Sequence, residues 1–386
     1  MPGPGLYAKS TSRNRIRLDG VACCPITLDQ TLDIPKETVM TQPFLRTTGL
    51  ALAIFIGLVL TPALSRAAGD GQILITGKTM GTYFRIKFIP GRQVSKALWE
   101  KKVALRLKEV NARLSMYQKD SELSRFNRSP QGKAFHVSSD FQKVLLQCKT
   151  LYDLSHGAWD GTVKPLVDLW GFGTRKAEHT LPPEDKIADA LNQVGFDKLV
   201  LKGRTLTKTA PGITLDLGAI AKGYGVDEIA RLLRDGGIEN GLVDIGGELA
   251  GFGKNKQHKP WVVGISKPEK KILSSGLYKA VRLDNMAVAT SGNYRNFFEL
   301  NKKTYSHIIH PATGWPVDNQ VVSASVIADT CTRADGLATA LMVMDSGKGM
   351  AMINALDGVE CLIIKKKGQT LVPLKSTGFS AYEVQI

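Results

Sequence analysis

Apolar and polar residues alternate with a period of two in some parts of this chain and with a helical period in others. This mixture predicts both strands and helices. Helical spacing indicates helices at residues 94–114, 138–154, 183–194 and 350–356, one that ends near Arg234 and one that begins at Thr332. Strand-like segments are 72–76, 82–89, 199–201, 206–207, 213–215, 241–251 (two strands around a glycine turn), 261–265, 277–283, 286–290, 297–300, 303–309, 359–364 and 369–373.

The order of these segments predicts the fold class. Strands occur in antiparallel runs interrupted by helices, and the pair Asp284-Asn285 is typical of a hairpin turn between residues 277–283 and 286–290. A regular strand–helix alternation, which would indicate a parallel sheet, is not present in the pattern. We therefore expect an α+β fold of mixed or antiparallel sheets with packed helices. The sequence contains no internal repeat or low-complexity linker, so residues 70–386 are expected to form one domain.

Composition narrows the class of protein. The chain has 386 residues, 43% of them hydrophobic and 22% charged, as in a globular protein with a large core. Its net charge is +16, from 51 Lys and Arg against 35 Asp and Glu. These basic residues are spread along the chain and form no recognisable nucleic-acid-binding module. The charge therefore does not indicate a nucleic-acid partner.

The first 67 residues are expected to contain a targeting signal and not part of the folded domain. A basic start at Met40 is followed by an apolar run at residues 49–60 and by small residues up to Ala67, the pattern of a secretory signal peptide over residues 40–67. The apolar run is short for a membrane span. No cysteine lies directly after it, so we expect no lipid-attachment site. We expect a soluble exported or periplasmic protein, with residues 1–39 as a non-native or disordered extension.

Two segments near the C-terminal end carry candidate chemistry. His307 and His310 lie three residues apart, directly before a turn. Asp335 and Thr339 are four apart on a predicted helix, so they share a face and form a plausible half-site for a hard cation. An equally good interpretation is that Thr332 or Asp335 caps the helix and that Thr339 packs in the core.

Two glycine-rich segments add weaker signals. Residues 215–227 predict a strand that turns through glycine into a helix, a geometry that can present backbone amides to a phosphate. Their spacing matches neither the dinucleotide fingerprint nor a P-loop. Residues 157–173 are rich in glycine and tryptophan and are long for a simple connection, as functional loops often are.

Taken in order, these segments resemble the ApbE family of FAD:protein FMN transferases. Eight short motifs carry the resemblance over about residues 77–341: Met80-Gly-Thr82, residues 115–127, Ala158-Trp-Asp160, residues 216–223, residues 244–248, residues 291–294, residues 306–314 and residues 334–339. The family implies a groove in which FAD is contacted by Met80, Tyr117, Ala158, Trp159, Asp160, Asp216, Lys222 and Ile309. It also implies Mg²⁺ held by the carbonyl of Ala219 and by Asp335 and Thr339. An all-oxygen set of this kind suits Mg²⁺ and argues against zinc.

The implied reaction moves the FMN part of FAD onto a threonine or serine hydroxyl of a target protein and releases AMP. His307 is the natural general base, and Lys222 together with Mg²⁺ would neutralise charge on the phosphate oxygens. The expected targets are other proteins, such as subunits of membrane electron-transfer complexes. One alternative, an FAD pyrophosphatase that yields FMN and AMP, would use the same residues. The other, a non-catalytic FAD-binding protein, predicts a lost metal ligand or base, whereas Asp335 and His307 are both present.

The sequence departs from the family pattern at one position beside the expected base. The family commonly has Asp where this chain has His310. An Asp there would orient or polarise His307 more effectively than an imidazole would. On this interpretation, His310→Asp keeps or raises activity.

Overall fold

The computed structural model describes residues 71–91, 94–173, 180–269, 276–294 and 296–385. The predicted signal peptide and the N-terminal extension lie outside the described residues. Within these ranges, no helix has both the length and the apolar character needed to cross a membrane.

The described residues form eight α-helices and sixteen strands. The helices are α1 (Lys96–Leu114), α2 (Glu122–Asn127), α3 (Ser139–Leu154), α4 (Lys164–Leu169), α5 (Glu184–Leu191), α6 (Ala221–Asp235), α7 (Cys331–Val343) and α8 (Ser346–Asn354). The strands are β1 (Ile73–Thr79), β2 (Thr82–Ile89), β3 (Phe135–His136), β4 (Leu199–Lys202), β5 (Thr205–Lys208), β6 (Asn240–Ile245), β7 (Glu248–Phe252), β8 (Trp261–Ser266), β9 (Leu277–Leu283), β10 (Met286–Gly292), β11 (Phe297–Leu300), β12 (Lys303–Ser306), β13 (Val321–Ala328), β14 (Glu360–Lys367), β15 (Thr370–Lys375) and β16 (Glu383–Val384).

An eight-stranded antiparallel sheet is the centre of the fold, in the order β1-β2-β6-β7-β10-β13-β14-β15. Three smaller sheets, β16-β9-β8, β3-β5-β4 and the pair β11-β12, pack around it. Helices α6 and α7 pack against each other, and α7 lies on β10 and β13. The α+β prediction is confirmed.

The predicted hairpin at Asp284-Asn285 is wrong. Strand β9 pairs with β8 and β16, whereas β10 pairs with β7 and β13 in the large sheet. The two dipeptide residues form a corner at which the chain passes from one sheet to the other. The cause is burial, because Leu283 and Val288 both contribute to an apolar core between the two sheets.

Two further differences concern residues near the later site. Residues 213–215 are not a strand: the side-chain amide of Asn127 pairs with both main-chain groups of Leu215, each at 2.8 Å, in place of a neighbouring strand. Strand β13, which is buried at seven of its eight positions, is absent from the predicted strands. A strand covered on both faces lacks the alternation by which we recognised the others.

Candidate functional site

A cavity of about 460 Å³ lies where α6, α7 and β10 approach the segment that follows β12. Eleven of the twelve predicted site residues line it: Tyr117, Ala158, Trp159, Asp160, Asp216, Ala219, Lys222, His307, Ile309, Asp335 and Thr339. These residues come from segments separated by more than a hundred positions in the sequence. The fold therefore brings together side chains that the sequence analysis had grouped only through motifs.

Met80 is the one predicted residue outside the lining of this cavity. It lies in the turn between β1 and β2 with a φ of 49°. It lines a neighbouring depression together with Asn111 and Ser115, and Tyr117 borders both spaces. Met80 therefore lies close to the cavity at the side where Tyr117 is 75% exposed.

Helix α7 is capped by a side chain of α6. Asp227 accepts hydrogen bonds from the amides of Cys331 and Thr332, both at 2.8 Å, and from the Thr332 hydroxyl at 2.5 Å. The interpretation of Asp335 as a cap of this helix is therefore wrong. Asp335 is buried one turn further along, and its carboxylate is directed toward α6 rather than toward the amides of its own helix.

Asp335 and Thr339 lie on the same face of α7, as predicted. Asp335 Oδ2 accepts a hydrogen bond of 3.0 Å from the amide of Gly223. The Thr339 hydroxyl is 3.0 Å from the hydroxyl of Ser291 on β10. The Asp335 carboxylate and the Thr339 hydroxyl thus border the cavity from one helix, and Ser291 of β10 holds the Thr339 hydroxyl in place.

The carbonyl of Ala219 completes the predicted oxygen set. Gly223 is the third residue of α6, where an amide has no acceptor within its own helix, and it donates to Asp335 Oδ2 instead. Ala219 precedes the N-cap residue Ile220, so its carbonyl lies outside the hydrogen bonds of the helix. Among the described residues there is no cluster of three His, Cys, Asp or Glu side chains suited to a metal. The oxygen set fits Mg²⁺ instead, which takes few protein ligands and fills its octahedron with phosphate and water.

Lys222 lies between two carboxylates, one of which the sequence analysis did not identify as a site residue. Its Nζ is 3.2 Å from Glu248 Oε1 and 3.8 Å from Asp335 Oδ2. Burial by itself would lower the pKa of Lys222, but the charges of Asp335 and Glu248 outweigh that effect and raise it. Lys222 is therefore a permanent cation beside the cavity. Burial raises the pKa of Glu248, an effect that the ammonium group of Lys222 opposes.

Glu248 is held in place by a tight turn. Gly246 and Gly247 have φ values of 67° and 106°, which favour glycine. Asp244, paired with Arg85 at 3.1 Å, accepts the amide of Gly247 at 3.0 Å. The sequence signal for Glu248 was available: an acidic residue directly after a double glycine, at the start of a strand whose five positions are all buried.

His307 is held in one tautomer by a backbone carbonyl. Its Nδ1 is 3.0 Å from the carbonyl oxygen of Asn296, which can only accept, so Nδ1 carries the proton. Nε2 is then left as the basic nitrogen. Burial lowers the pKa of His307, and the charge of Lys222 lowers it further, against the opposing hydrogen bond to Asn296. The imidazole is therefore neutral at pH 7. Asn296 was missed because it acts through its main chain.

His310 does not perform the orienting role considered for an Asp at this position. Its Nδ1 accepts the amide of Ala312 at 3.2 Å, and its ring lines a second cavity on the other side of Pro311. The orienting partner of His307 is the Asn296 carbonyl. His310 stabilises the turn, a role in which an Asp side chain is common.

The remaining predicted residues differ in whether their polar atoms already have hydrogen-bond partners within the protein. Both carboxylate oxygens of Asp160 are engaged inside the protein, by Thr162 and by the amide of Phe196. One oxygen of Asp216 accepts the amide of Gly218 at 2.7 Å. Trp159 differs, because its Nε1 is buried without a hydrogen-bond partner among the described residues. An unpaired buried donor in the wall of a cavity is suited to a ligand that brings an acceptor.

Comparison with known proteins gives a consistent result. The family model described as "ApbE family" matches residues 80–363. The chain is 41% identical to an FAD:protein FMN transferase of Vibrio cholerae, over 81% of this chain and 92% of that protein. It is 39% identical to the protein of the same name from Haemophilus influenzae, over 78% and 90%. The solved structure of the flavin transferase ApbE from Vibrio cholerae aligns with a TM-score of 0.74 at 38% identity, over 81% of this chain and 99% of the other.

Proposed function

The chain belongs to the ApbE family and is an FAD:protein FMN transferase, and from this premise we propose that its cavity binds FAD with Mg²⁺ as a required cation. The observation that carries the proposal is the meeting of eleven predicted residues around one cavity. In this assignment the Ala219 carbonyl, Asp335 and Thr339 hold the metal. Tyr117, residues 158–160, Asp216, Lys222 and Ile309 contact the nucleotide, and Met80 contacts it at the border that Tyr117 shares.

His307 would act as the general base. An acceptor hydroxyl attacks the phosphorus of the FMN moiety, the bond from that phosphorus to the AMP oxygen breaks, and AMP leaves. The hydroxyl proton must be removed during this step, and the free Nε2 of a neutral His307 is suited to accept it. The Asn296 carbonyl keeps that nitrogen unprotonated by fixing the tautomer.

Lys222 would stabilise charge on the phosphates. Its ammonium group borders the cavity, and it stays protonated because two carboxylates flank it. A fixed cation at this position favours negative charge that develops on phosphate oxygens. Mg²⁺ would supply the same kind of charge neutralisation at the pyrophosphate.

We extend the proposal to the acceptor and to the rest of the chain. The acceptor is a threonine or serine of another protein, of the kind found in subunits of membrane electron-transfer complexes. Residues 70–386 form the transferase domain, and residues 40–67 direct its export to the periplasm as a signal peptide. N-terminal sequencing of the protein recovered from the periplasm tests the last point, with a start at residue 68 expected.

The activity is tested by incubating the protein with FAD, Mg²⁺ and a threonine-bearing acceptor domain, followed by a denaturing gel viewed for flavin fluorescence. We expect a fluorescent acceptor band that disappears with EDTA and in Asp335→Ala. An acceptor band that persists at full intensity in EDTA would contradict the metal requirement. Free FMN and AMP without a labelled acceptor would instead indicate a pyrophosphatase.

A further inference from the structure

Glu248 is a buried carboxylate in the cavity wall for which the transfer reaction, as described so far, has no use. It is 4% exposed. Its Oε1 pairs with Lys222 at 3.2 Å, while its Oε2 is buried without a partner among the described residues. A buried charge without a role is costly, since it gives up hydration for incomplete compensation. It directly follows the tight glycine turn at Gly246 and Gly247, which fixes its position in the cavity wall.

The charges around Lys222 indicate what Glu248 does in the site. With both carboxylates ionised, Lys222, Asp335 and Glu248 carry one positive and two negative charges, a net charge of −1. Burial raises the pKa of Glu248, and the charge of a bound cation would favour its ionised form. If a divalent cation takes Asp335 as a ligand, it draws that carboxylate away from Lys222 and adds two positive charges beside an ammonium group. Glu248 is then the nearest counter-charge to Lys222 that the metal does not use.

We propose that Glu248 is the counter-ion that lets Lys222 and Mg²⁺ occupy this site together. The inference rests on the proposed function, because it assumes the metal at Asp335. Glu248 acts as a positioning residue: it holds the Lys222 ammonium group through Oε1 and keeps a negative charge within the group when the metal is bound. Its loss would weaken Mg²⁺ binding without removing any metal ligand.

The proposal predicts that loss of the Glu248 charge weakens Mg²⁺ binding but does not weaken FAD binding in the absence of Mg²⁺. Glu248→Gln preserves shape and an acceptor for Lys222 but removes one negative charge. The metal-free site becomes neutral, so FAD binding without Mg²⁺ is unchanged or tighter, since the pyrophosphate is no longer repelled. The Mg²⁺ concentration that gives half of the metal-dependent tightening of FAD binding rises by about tenfold. A variant that merely disturbs packing would weaken both.

The experiment titrates FAD into the full chain and follows flavin fluorescence at a series of Mg²⁺ concentrations, with EDTA as the zero point. Wild type, Glu248→Gln and Glu248→Asp are compared, and Asp284→Asn is the control because it removes one charge on an exposed turn. We expect Glu248→Asp to recover part of the Mg²⁺ affinity and Asp284→Asn to behave as wild type. Equal Mg²⁺ dependence in Glu248→Gln and wild type would overturn the inference, as would weaker FAD binding in EDTA.

A second variant, Lys222→Gln, tests the same proposal if Glu248→Gln does not fold. Lys222→Gln removes the cation that competes with the metal, so Mg²⁺ binding to the nucleotide-free protein, measured by calorimetry, should tighten several-fold. Unchanged or weaker Mg²⁺ binding there would also overturn the inference. Wild type that binds FAD but shows no Mg²⁺ effect would instead overturn the proposed metal itself, so the two failures are distinguishable.

Discussion

Gly223 donates its amide hydrogen to Asp335 Oδ2 at 3.0 Å, and through this contact the first turn of α6 and the second turn of α7 hold each other. The contact depends on the absence of a side chain at Gly223. A Cβ there would lie 2.4 Å from the carbonyl oxygen of Cys331 and 2.9 Å from Cβ of Asp335. The proposed metal ligand thus owes its position to a glycine in the neighbouring helix.

Gly223→Ala should therefore destabilise the protein, although the same change in an open helix interior stabilises it by up to about 1 kcal/mol. We expect a loss of about 1–3 kcal/mol, because the two nearest atoms belong to the backbone of Cys331 and cannot move aside cheaply. Chemical denaturation measures this loss. Gly276→Ala is the control, since no atom lies within 4 Å of a Cβ at that position. A Gly223→Ala protein as stable as wild type would show that the two helices can separate without cost.

Thr339→Val should raise the Mg²⁺ requirement of transfer by about ten- to a hundredfold, because it removes a proposed oxygen ligand and the partner of Ser291 while keeping the volume. Thr339→Ser keeps the hydroxyl and should remain within a few-fold of wild type. The measurement is the initial rate of acceptor labelling against Mg²⁺ concentration. Identical Mg²⁺ curves for the valine and serine variants would rule out the hydroxyl as a ligand.

The acid limb of the pH–rate profile should have its midpoint below pH 6.5. The base must be neutral to accept a proton, and burial together with Lys222 lowers the pKa of His307. Activity is therefore full above that pKa and falls as the pH drops through it. The pH profile of kcat/KM for the acceptor, measured from about pH 4.5 to about pH 8, tests this expectation.

His307→Ala should lower the rate by about 10²–10⁴-fold and abolish that acid limb. Burial also lowers the pKa of His310, so His310→Gln is the matched control and should keep the limb. A limb that follows His310, or one that survives in His307→Ala, would assign the base elsewhere.

His310→Asp should leave activity within a few-fold of wild type or raise it. The His310 ring accepts the amide of Ala312 at 3.2 Å, and an Asp carboxylate can accept the same hydrogen bond in an Asx turn. His310→Ala removes the acceptor and should cost about 0.5–2 kcal/mol of stability, as loss of a capping side chain does. Labelling rates and thermal unfolding of the two variants provide the measurement. A loss of activity in His310→Asp as deep as in His307→Ala would give residue 310 a direct part in the reaction.

Much of the candidate site could be predicted from the sequence because its residues lie in short runs with recognisable turns. Asp335 and Thr339 share a helix face by spacing alone, and the glycines of residues 216–223 marked the start of α6. The predicted bounds of two strands, residues 82–89 and 297–300, agree with β2 and β11 to the residue. The family resemblance then joined segments that no local pattern could join.

The parts that were missed depend on partners distant in sequence. The tautomer of His307 is set by the carbonyl of Asn296, a group that every residue possesses and that no residue type reveals. Likewise, residues 213–215 resemble a strand until the side chain of Asn127 takes both hydrogen-bonding groups of Leu215. Glu248 was visible in a motif, but its role appears only once Lys222 and Asp335 stand beside it.

The pairing of β2 with β6 has a consequence for the order in which this protein can form. Arg85 pairs with Asp244, which lies 159 positions later in the chain, so the first two strands gain their place in the large sheet only after β6 has been synthesised. Closing so long a loop is entropically costly and slows folding. The nucleotide pocket needs α7 as well, nearly a hundred residues later in the chain. A polypeptide that ends before α7 lacks Asp335 and Thr339, and we expect it to be inactive. FAD that binds only the complete fold should protect that fold from proteolysis.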